Sequence, residues 1–227
     1  MVVFNTILIF ELIFLNYEIS SLKFENGIEF FSLKLNNHKH INMNPIEDLV
    51  HEHKAIKVML SIMNKIAENI RNDQTVDTND IESIVDFLKT FADKCHHGKE
   101  ENALFPALVE TGIPKEGGPI GVMLHEHAIG REYIKEISTK TEQFKSGNSE
   151  ALQLIANSLL SYINLLHAHI QKEENILFPM AEKVLTAQKQ NEINEHFERI
   201  EEEVVGHGVH EQFHELLNKL KRSKYLG

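Results

Sequence analysis

The sequence predicts an all-α protein: an up-down-up-down four-helix bundle with an internal two-helix repeat, plus a C-terminal fifth helix. Three observations indicate this fold class. From residue 45 onward, apolar residues recur at the helical spacing of three and four. Turn signals separate the helical stretches at residues 72–80, 112–118 and 146–149. A pattern that spans two helices also occurs twice, and two such hairpins stacked about a pseudo-two-fold axis form a four-helix bundle.

The predicted helices follow one another with short connections. Their approximate extents are 45–70, 80–109, 119–144, 149–187 and 189–222. The first begins with Asn44 as the cap residue, Pro45 in the first turn and two early acids, which are typical of helix N-termini. We therefore expect a bundle at residues 43–187 and a C-terminal helix, at residues 188–227, that packs on it.

Residues 1–42 form an N-terminal extension of a different character. The apolar run at residues 1–15 is interrupted by Asn5 and Glu11, and it has neither a basic start nor a small-residue cleavage pattern. It is also shorter than the roughly 20 apolar residues of a membrane helix. We expect this extension to be weakly structured, or to be a gene-model artefact upstream of a biological start at Met43. Mass spectrometry of the native N-terminus tests the second alternative.

Composition excludes several function classes. The net charge is −11, with 34 acidic against 23 basic residues, and this argues against a nucleic-acid-binding surface. The single cysteine, Cys95, allows no intramolecular disulfide and is consistent with a reducing compartment, so we expect a cytoplasmic protein with Cys95 in its core. The unusual feature is a content of 14 histidines.

The internal repeat places histidines at matching positions. Residues 45–53 begin with Pro-Ile and end with His-Glu-His, and the same pattern returns 74 residues later at 119–127. Residues 96–106 read H-x2-K-E-E-N-x-L-F-P, and this pattern returns 73 residues later at 169–179. Two helical hairpins thus share one arrangement of histidines and glutamates.

Helical phase indicates which histidines face the core, because residues three, four and seven apart lie on one helix face. His53 shares its face with apolar residues such as Leu49, whereas His51 lies among charged residues. Phase and repeat together predict six inward-facing residues, which are His53, His96, Glu100, His127, His169 and Glu173. We expect the other histidines of these helices, His51, His97, His125 and His167, to be exposed or to lie behind the inward ones. Whether His97 or His125 adds a further ligand stays open.

This set of residues predicts a metal site. Four imidazoles and two carboxylates buried without a cation would leave many polar groups without partners, which disfavours the alternative of a structural polar layer. Nitrogen and oxygen donors without a thiolate suit iron, manganese or zinc. Residues at i and i+4 lie one above the other, so His96 can bind one ion while Glu100 reaches a second. With His169 and Glu173 added by the repeat, the sequence predicts two bridging glutamates and two histidines per ion.

At these residues the sequence resembles the hemerythrin-like, or HHE cation-binding, family of non-haem di-iron proteins. The resemblance covers residues 43 to about 187 and rests on the His-Glu-His and H-x3-E-E-x2-L-F-P motifs in combination. It implies two iron ions with an oxo or hydroxo bridge. It also implies that four histidines bind the iron and two glutamates bridge it, and these residues are His53, His96, His127, His169, Glu100 and Glu173.

The sequence departs from the oxygen-carrying hemerythrins of this family. Those proteins have five histidine ligands, with H-x3-H on the third helix and H-x4-D on the fourth. Here Arg131 follows His127 by four residues and Glu173 replaces the aspartate pattern, which disfavours reversible oxygen carriage. The ligand set is more similar to hemerythrin-like proteins of iron-sulfur-cluster repair and nitric-oxide response, although their short cysteine-bearing N-terminal module has no counterpart here.

Three functions remain open at this point. The leading hypothesis is a cytoplasmic di-iron protein that binds or reacts with O2, NO or peroxide, with an unidentified electron donor. The second is a redox-sensing or gas-sensing module in which the iron state moves a helix, for which the interruption at residues 206–208 is a candidate. The third is an iron-handling or iron-sulfur-cluster repair protein without turnover. We expect no nucleic-acid and no membrane partner, and the enzyme question stays open.

Overall fold

A computed structural model of the chain describes residues 44–206, 209–220 and Tyr225. This part of the chain is helical and contains no strand, which confirms the predicted all-α class. Predictions for residues 1–42 lie outside the described residues. The first and third helices are α1, Pro45–Arg71, and α3, Pro119–Lys145.

The remaining helices are built from consecutive segments. Helix α2 comprises Thr78–Phe87, Leu88–His97, Glu100–Leu104 and Phe105–Glu110. Helix α4 comprises Ala151–Lys172, Glu173–Leu177 and Phe178–Val184. The C-terminal helices are α5, with Ala187–Arg199 and Ile200–Val205, and α6, Val209–Leu220.

The predicted start of α1 is confirmed in detail. The Asn44 side chain accepts a hydrogen bond from the Ile46 amide at 3.0 Å, and the Glu47 carboxylate accepts one from the Asn44 amide at 3.4 Å. This reciprocal capping box satisfies amides that have no partner within the helix. The predicted C-terminal helical segment, 189–222, is divided at its interruption, because the chain leaves the helix at Gly206, whose φ of 100° suits a residue without a Cβ atom.

Helices α2 and α4 contain wide, π-helical turns where the repeated motif lies. Leu88–His97 and Glu100–Leu104 in α2, and Glu173–Leu177 in α4, form backbone hydrogen bonds from residue i to i+5. Such turns rotate the chain less per residue than an α-helix does, and they are frequent at functional sites. They change which side chains of α2 face the bundle interior.

Two apolar clusters lie on either side of the predicted ligand residues. The larger cluster includes Ile56, and the smaller cluster includes Leu49, so His53 on α1 lies between them. The C-terminal helices pack on both clusters, since Leu217 of α6 joins the larger one and Phe197 of α5 joins the smaller one. The polar residues of the bundle therefore occupy a layer closed above and below by apolar side chains. Among the described helices, none is both long and apolar enough to cross a membrane.

Candidate metal centre

The six residues predicted to face inward all lie in one buried layer. None of them is more than 1% exposed. Helix α1 contributes one, α2 two, α3 one and α4 two, and in chain order these are His53, His96, Glu100, His127, His169 and Glu173. The structure thus brings together the complete predicted set.

Two central glutamates, Glu100 and Glu173, each lie between histidines of different hairpins. The two carboxylate oxygens of Glu173 are 3.3 Å from His53 Nε2 and 3.2 Å from His169 Nε2. The oxygens of Glu100 are 3.8 Å from His96 Nε2 and 3.4 Å from His127 Nε2. Each central glutamate is therefore placed to bridge two ions, one beside each hairpin.

The donor atoms fall into two groups that share Glu100. In each group, one ligand atom from every residue lies within 4.8 Å of the others. The first group consists of His53, His96, Glu100 and Glu173. The second group consists of His97, Glu100, His127 and His169.

The hydrogen bonding of the layer fits a bound cation. The Nε2 atoms of His53 and His96, and both carboxylate oxygens of Glu100 and Glu173, are buried and have no hydrogen-bond partner among the described residues. Buried polar atoms without partners are rare because they lose their hydration and gain nothing in return. These atoms are nitrogen and carboxylate donors, which suit iron, manganese or zinc. The residues present therefore fit a metal centre.

The two central glutamates have opposite pKa shifts. Burial, together with the negative charge of Glu173, raises the pKa of Glu100 well above its ordinary value. Burial also acts to raise the pKa of Glu173, but His169 and His53 outweigh it and lower that pKa well below the ordinary value. For His169, burial is outweighed by Glu173 and Glu126, and its pKa rises to about 9. A positive charge between the two carboxylates would allow both to ionise.

Four further glutamates, here called the outer carboxylates, each bind the Nδ1 side of one of the four inward histidines. In each pair a histidine Nδ1–H donates to a glutamate oxygen, and this directs the Nε2 atom into the layer. The pairs are His53 with Glu174 at 3.0 Å, His96 with Glu52 at 2.8 Å, His127 with Glu101 at 2.7 Å and His169 with Glu126 at 3.0 Å. The four rings are thus held in the orientation that metal binding requires.

Each outer carboxylate is held in turn by a cation. The pairs are Glu174 with Lys57, Glu52 with Lys99, Glu101 with Arg131 and Glu126 with Lys172. Although burial alone would raise the pKa of these carboxyls, the histidine and the cation lower it, for Glu52 to about 2. The outer carboxylates therefore stay ionised and accept strong hydrogen bonds.

Helical phase does not single out these eight outer residues, although the repeat contains their signal. Glu52 and Glu126 are the central residues of the two His-Glu-His motifs, and Glu101 and Glu174 are the second glutamates of the two Glu-Glu pairs. Their cations recur at the same offsets. Arg131, noted from the sequence as a departure from oxygen carriers, donates to Glu101 at 2.7 Å and to Asp93 at 2.8 Å.

Comparison with known proteins agrees with this geometry. Residues 44–181 match the family model described as the hemerythrin HHE cation binding domain. The chain belongs to this family. The matched region contains all four predicted ligand histidines, both central glutamates and the four outer carboxylates.

Curated relatives of this hemerythrin HHE domain fall into two kinds. The uncharacterized protein Rv1995 of Mycobacterium tuberculosis is 24% identical over 152 residues, which is 67% of this chain and 59% of that protein. The iron-sulfur cluster repair protein YtfE of Edwardsiella ictaluri is 29% identical over 54% of this chain and 56% of its own length. YtfE of Dickeya chrysanthemi is 33% identical over 38% and 40%. The chain thus spans little more than half the length of the first two of these relatives. No solved structure matches it significantly.

The alternative that His97 is exposed is wrong for this HHE domain, because the residue is buried beside the inward histidines. His97 is 4% exposed, and within the described part of the chain neither of its ring nitrogens forms a hydrogen bond. Its ring stacks on His127 with the centroids 3.9 Å apart, and it belongs to the second donor group. The physical reason is the wide turn at Leu88–His97, which rotates less per residue and lets both His96 and His97 face inward.

The other expectations for histidine and cysteine agree with the structure. His51, His125 and His167 are exposed, so none of them lies in the buried layer. Cys95 is buried as predicted, with its Sγ atom 3.8 Å from a Glu52 oxygen. Burial and the charge of Glu52 raise the pKa of this thiol, which disfavours the thiolate that metal binding needs.

Proposed function

We propose that the chain is a hemerythrin-like protein whose buried layer binds two iron ions and whose centre binds or reacts with a small ligand such as O2, NO or peroxide. Four histidines would bind the ions and the two central glutamates would bridge them: His53, His96, His127, His169, Glu100 and Glu173. The observation that carries this proposal is the pair of four-residue donor groups sharing Glu100. Family membership supports it.

The chain's own residues would prepare the site for this chemistry. The outer carboxylates hold each imidazole in one orientation, and the two apolar clusters restrict the access of water. Iron would supply open coordination positions and one-electron chemistry, which these side chains lack. With four imidazoles and two carboxylates for two ions, positions remain for a small ligand.

Metal analysis tests the proposal directly. Protein purified without chelators should contain two iron ions per chain. Glu100→Ala and Glu173→Ala should each abolish the dinuclear spectrum, whereas Glu132→Ala, an exposed position of α3, should leave it unchanged. One tightly bound zinc ion, or unaltered iron content in both central variants, would refute the assignment.

A second candidate function is iron handling in iron-sulfur cluster repair. It is favoured by the iron-sulfur cluster repair function for which the YtfE relatives are named, although each of them matches this chain over only part of its length. Anaerobic exposure of the reduced protein to O2 and to NO separates the candidates. A stable adduct or repeated consumption of the ligand supports small-ligand chemistry, whereas rapid transfer of iron to an apo-acceptor supports iron donation. A cytoplasmic location remains part of the proposal because the single cysteine is consistent with a reducing compartment.

A further inference from the structure

Lys99 of α2 is a buried ammonium whose three donors are all used. Its side chain has 0% exposure, a costly position for a charge unless that charge is well paired. The Nζ atom lies 2.7 Å from an Asp48 oxygen, 2.7 Å from a Glu52 oxygen and 2.5 Å from a Glu201 oxygen. It also lies 5.2 Å from the centre of the Phe197 ring. Because an ammonium has three hydrogens, these three carboxylates saturate it.

These contacts connect a C-terminal helix to the metal centre. Glu201 and Phe197 belong to α5, whereas Glu52 belongs to α1 and is the outer carboxylate of His96. A continuous series of polar contacts therefore runs from Glu201 through Lys99 and Glu52 to His96. Each contact in the series involves an ionised group, so a change at one end alters the charge that the next group meets.

The equivalent lysine in the second half of the repeat is less buried than Lys99. Lys172, the counterpart of Lys99, has 35% of its side chain exposed and pairs with Glu126, the outer carboxylate of His169. Solvent can therefore replace part of what Lys172 supplies, whereas Lys99 depends on neighbouring protein groups. The donor group of His53 and His96 therefore depends more on contacts with neighbouring helices than the second donor group does.

We propose that Glu201 is a positioning residue through which α5 selectively stabilises metal at the donor group of His53 and His96. With α5 in place, Glu201 holds the Lys99 ammonium, which holds the Glu52 carboxylate against His96. When α5 moves away, Lys99 loses one of its three partners and Glu52 is held less firmly. A partner or signal that displaces α5 would then release one ion before the other. This inference rests on the proposed di-iron function.

Iron release to a chelator tests it on the full-length, iron-loaded protein under anaerobic conditions. Lys99→Met should accelerate the release of one of the two ions by about tenfold, the lower end of the effect of removing a group that holds a ligand. Glu201→Gln should accelerate it by about threefold, because Glu201 acts one contact further from the ligand. The spectrum of one iron should change while the other stays as in the wild type. Glu203→Gln, at an exposed position of the same helix, is the matched control and should release both ions at wild-type rates.

A double variant distinguishes this coupling from general loosening. If Glu201 acts through Lys99, the combination of Glu201→Gln with Lys99→Met should release iron no faster than Lys99→Met alone. Additive effects, equal acceleration of both ions, or wild-type rates in Glu201→Gln would overturn the inference. Glu201→Gln changes a partly exposed side chain, so the test does not depend on whether Lys99→Met folds. Wild-type protein that binds fewer than two iron ions would instead contradict the proposed function.

Discussion

The imidazole rings of His97 and His127 stack with 15° between their planes and 3.9 Å between their centroids. In the second copy of the repeat, Ile170 occupies the position equivalent to His97, at the same offset that relates His96 to His169. Ile170 is buried in the larger apolar cluster. The two halves of the bundle therefore differ at this position. One donor group has two imidazoles and the other has three.

Replacing His97 tests the consequence of this difference. We predict that His97 adds a fifth imidazole to the four proposed histidine ligands. His97→Ile, which copies the residue of the other hairpin, should then retain two iron ions per chain and make their Mössbauer parameters more alike, because one group loses its third imidazole. His167→Ile, at an exposed position of α4, should leave the spectrum as in the wild type. An unchanged spectrum in His97→Ile would show that His97 does not bind the metal.

Removal of one outer carboxylate should weaken metal binding without removing a ligand. Glu126 accepts the Nδ1–H of His169 at 3.0 Å and is held by Lys172. We expect Glu126→Ala to lower iron affinity by roughly 10-fold to 100-fold, because the ring of His169 loses its fixed orientation and part of its basicity. Anaerobic titration with ferrous iron measures this change, with Glu132→Ala as the control on the same helix. An affinity within about twofold of the wild type would contradict the prediction.

The metal-free protein should lose stability in acid through Glu52. Burial alone would raise the pKa of this carboxyl, but Lys99 and His96 lower it from 4.5 to about 2. Because the folded-state pKa is below the unfolded one, the carboxylate contributes stability above about pH 4.5 and loses it as the pH falls towards 2. The loss is on the order of 3 kcal/mol. Urea unfolding at pH 5 and pH 3 measures about 2 kcal/mol of this loss, because pH 3 is still above the folded-state pKa. An equal loss in Glu52→Gln would contradict the assignment.

Docking of α6 should depend on an aromatic contact away from the metal layer. The Phe213 ring meets Phe87 edge-on with the centroids 5.4 Å apart and lies 6.1 Å from Phe91. We expect Phe213→Ala to lower the free energy of unfolding by about 2 kcal/mol, since it removes both buried area and aromatic contacts. Iron content should stay the same. Urea unfolding checks this, with the exposed Gln212→Ala as control; a loss below about 0.5 kcal/mol would contradict it.

Much of the candidate site was predictable because it depends on local periodicity. The burial of His53, His127 and His169 follows from helical phase, which apolar neighbours three and four residues away reveal. The repeat adds an independent alignment of His96 with His169. Helical phase did not predict the burial of His97, because the wide turns of α2 have a different rotation per residue. No apolar pattern in the sequence marks such turns.

The sequence by itself determined the all-α class, the capped start of α1 and the six residues of the central layer, because each depends on neighbours within a few turns of one helix. Only the tertiary structure decided which outer carboxylate meets which histidine, as in the contact of Glu174 on α4 with His53 on α1. It also decided that α5 covers Lys99. Such contacts join residues far apart in the chain, and they depend on how the helices cross, which helical periodicity does not specify.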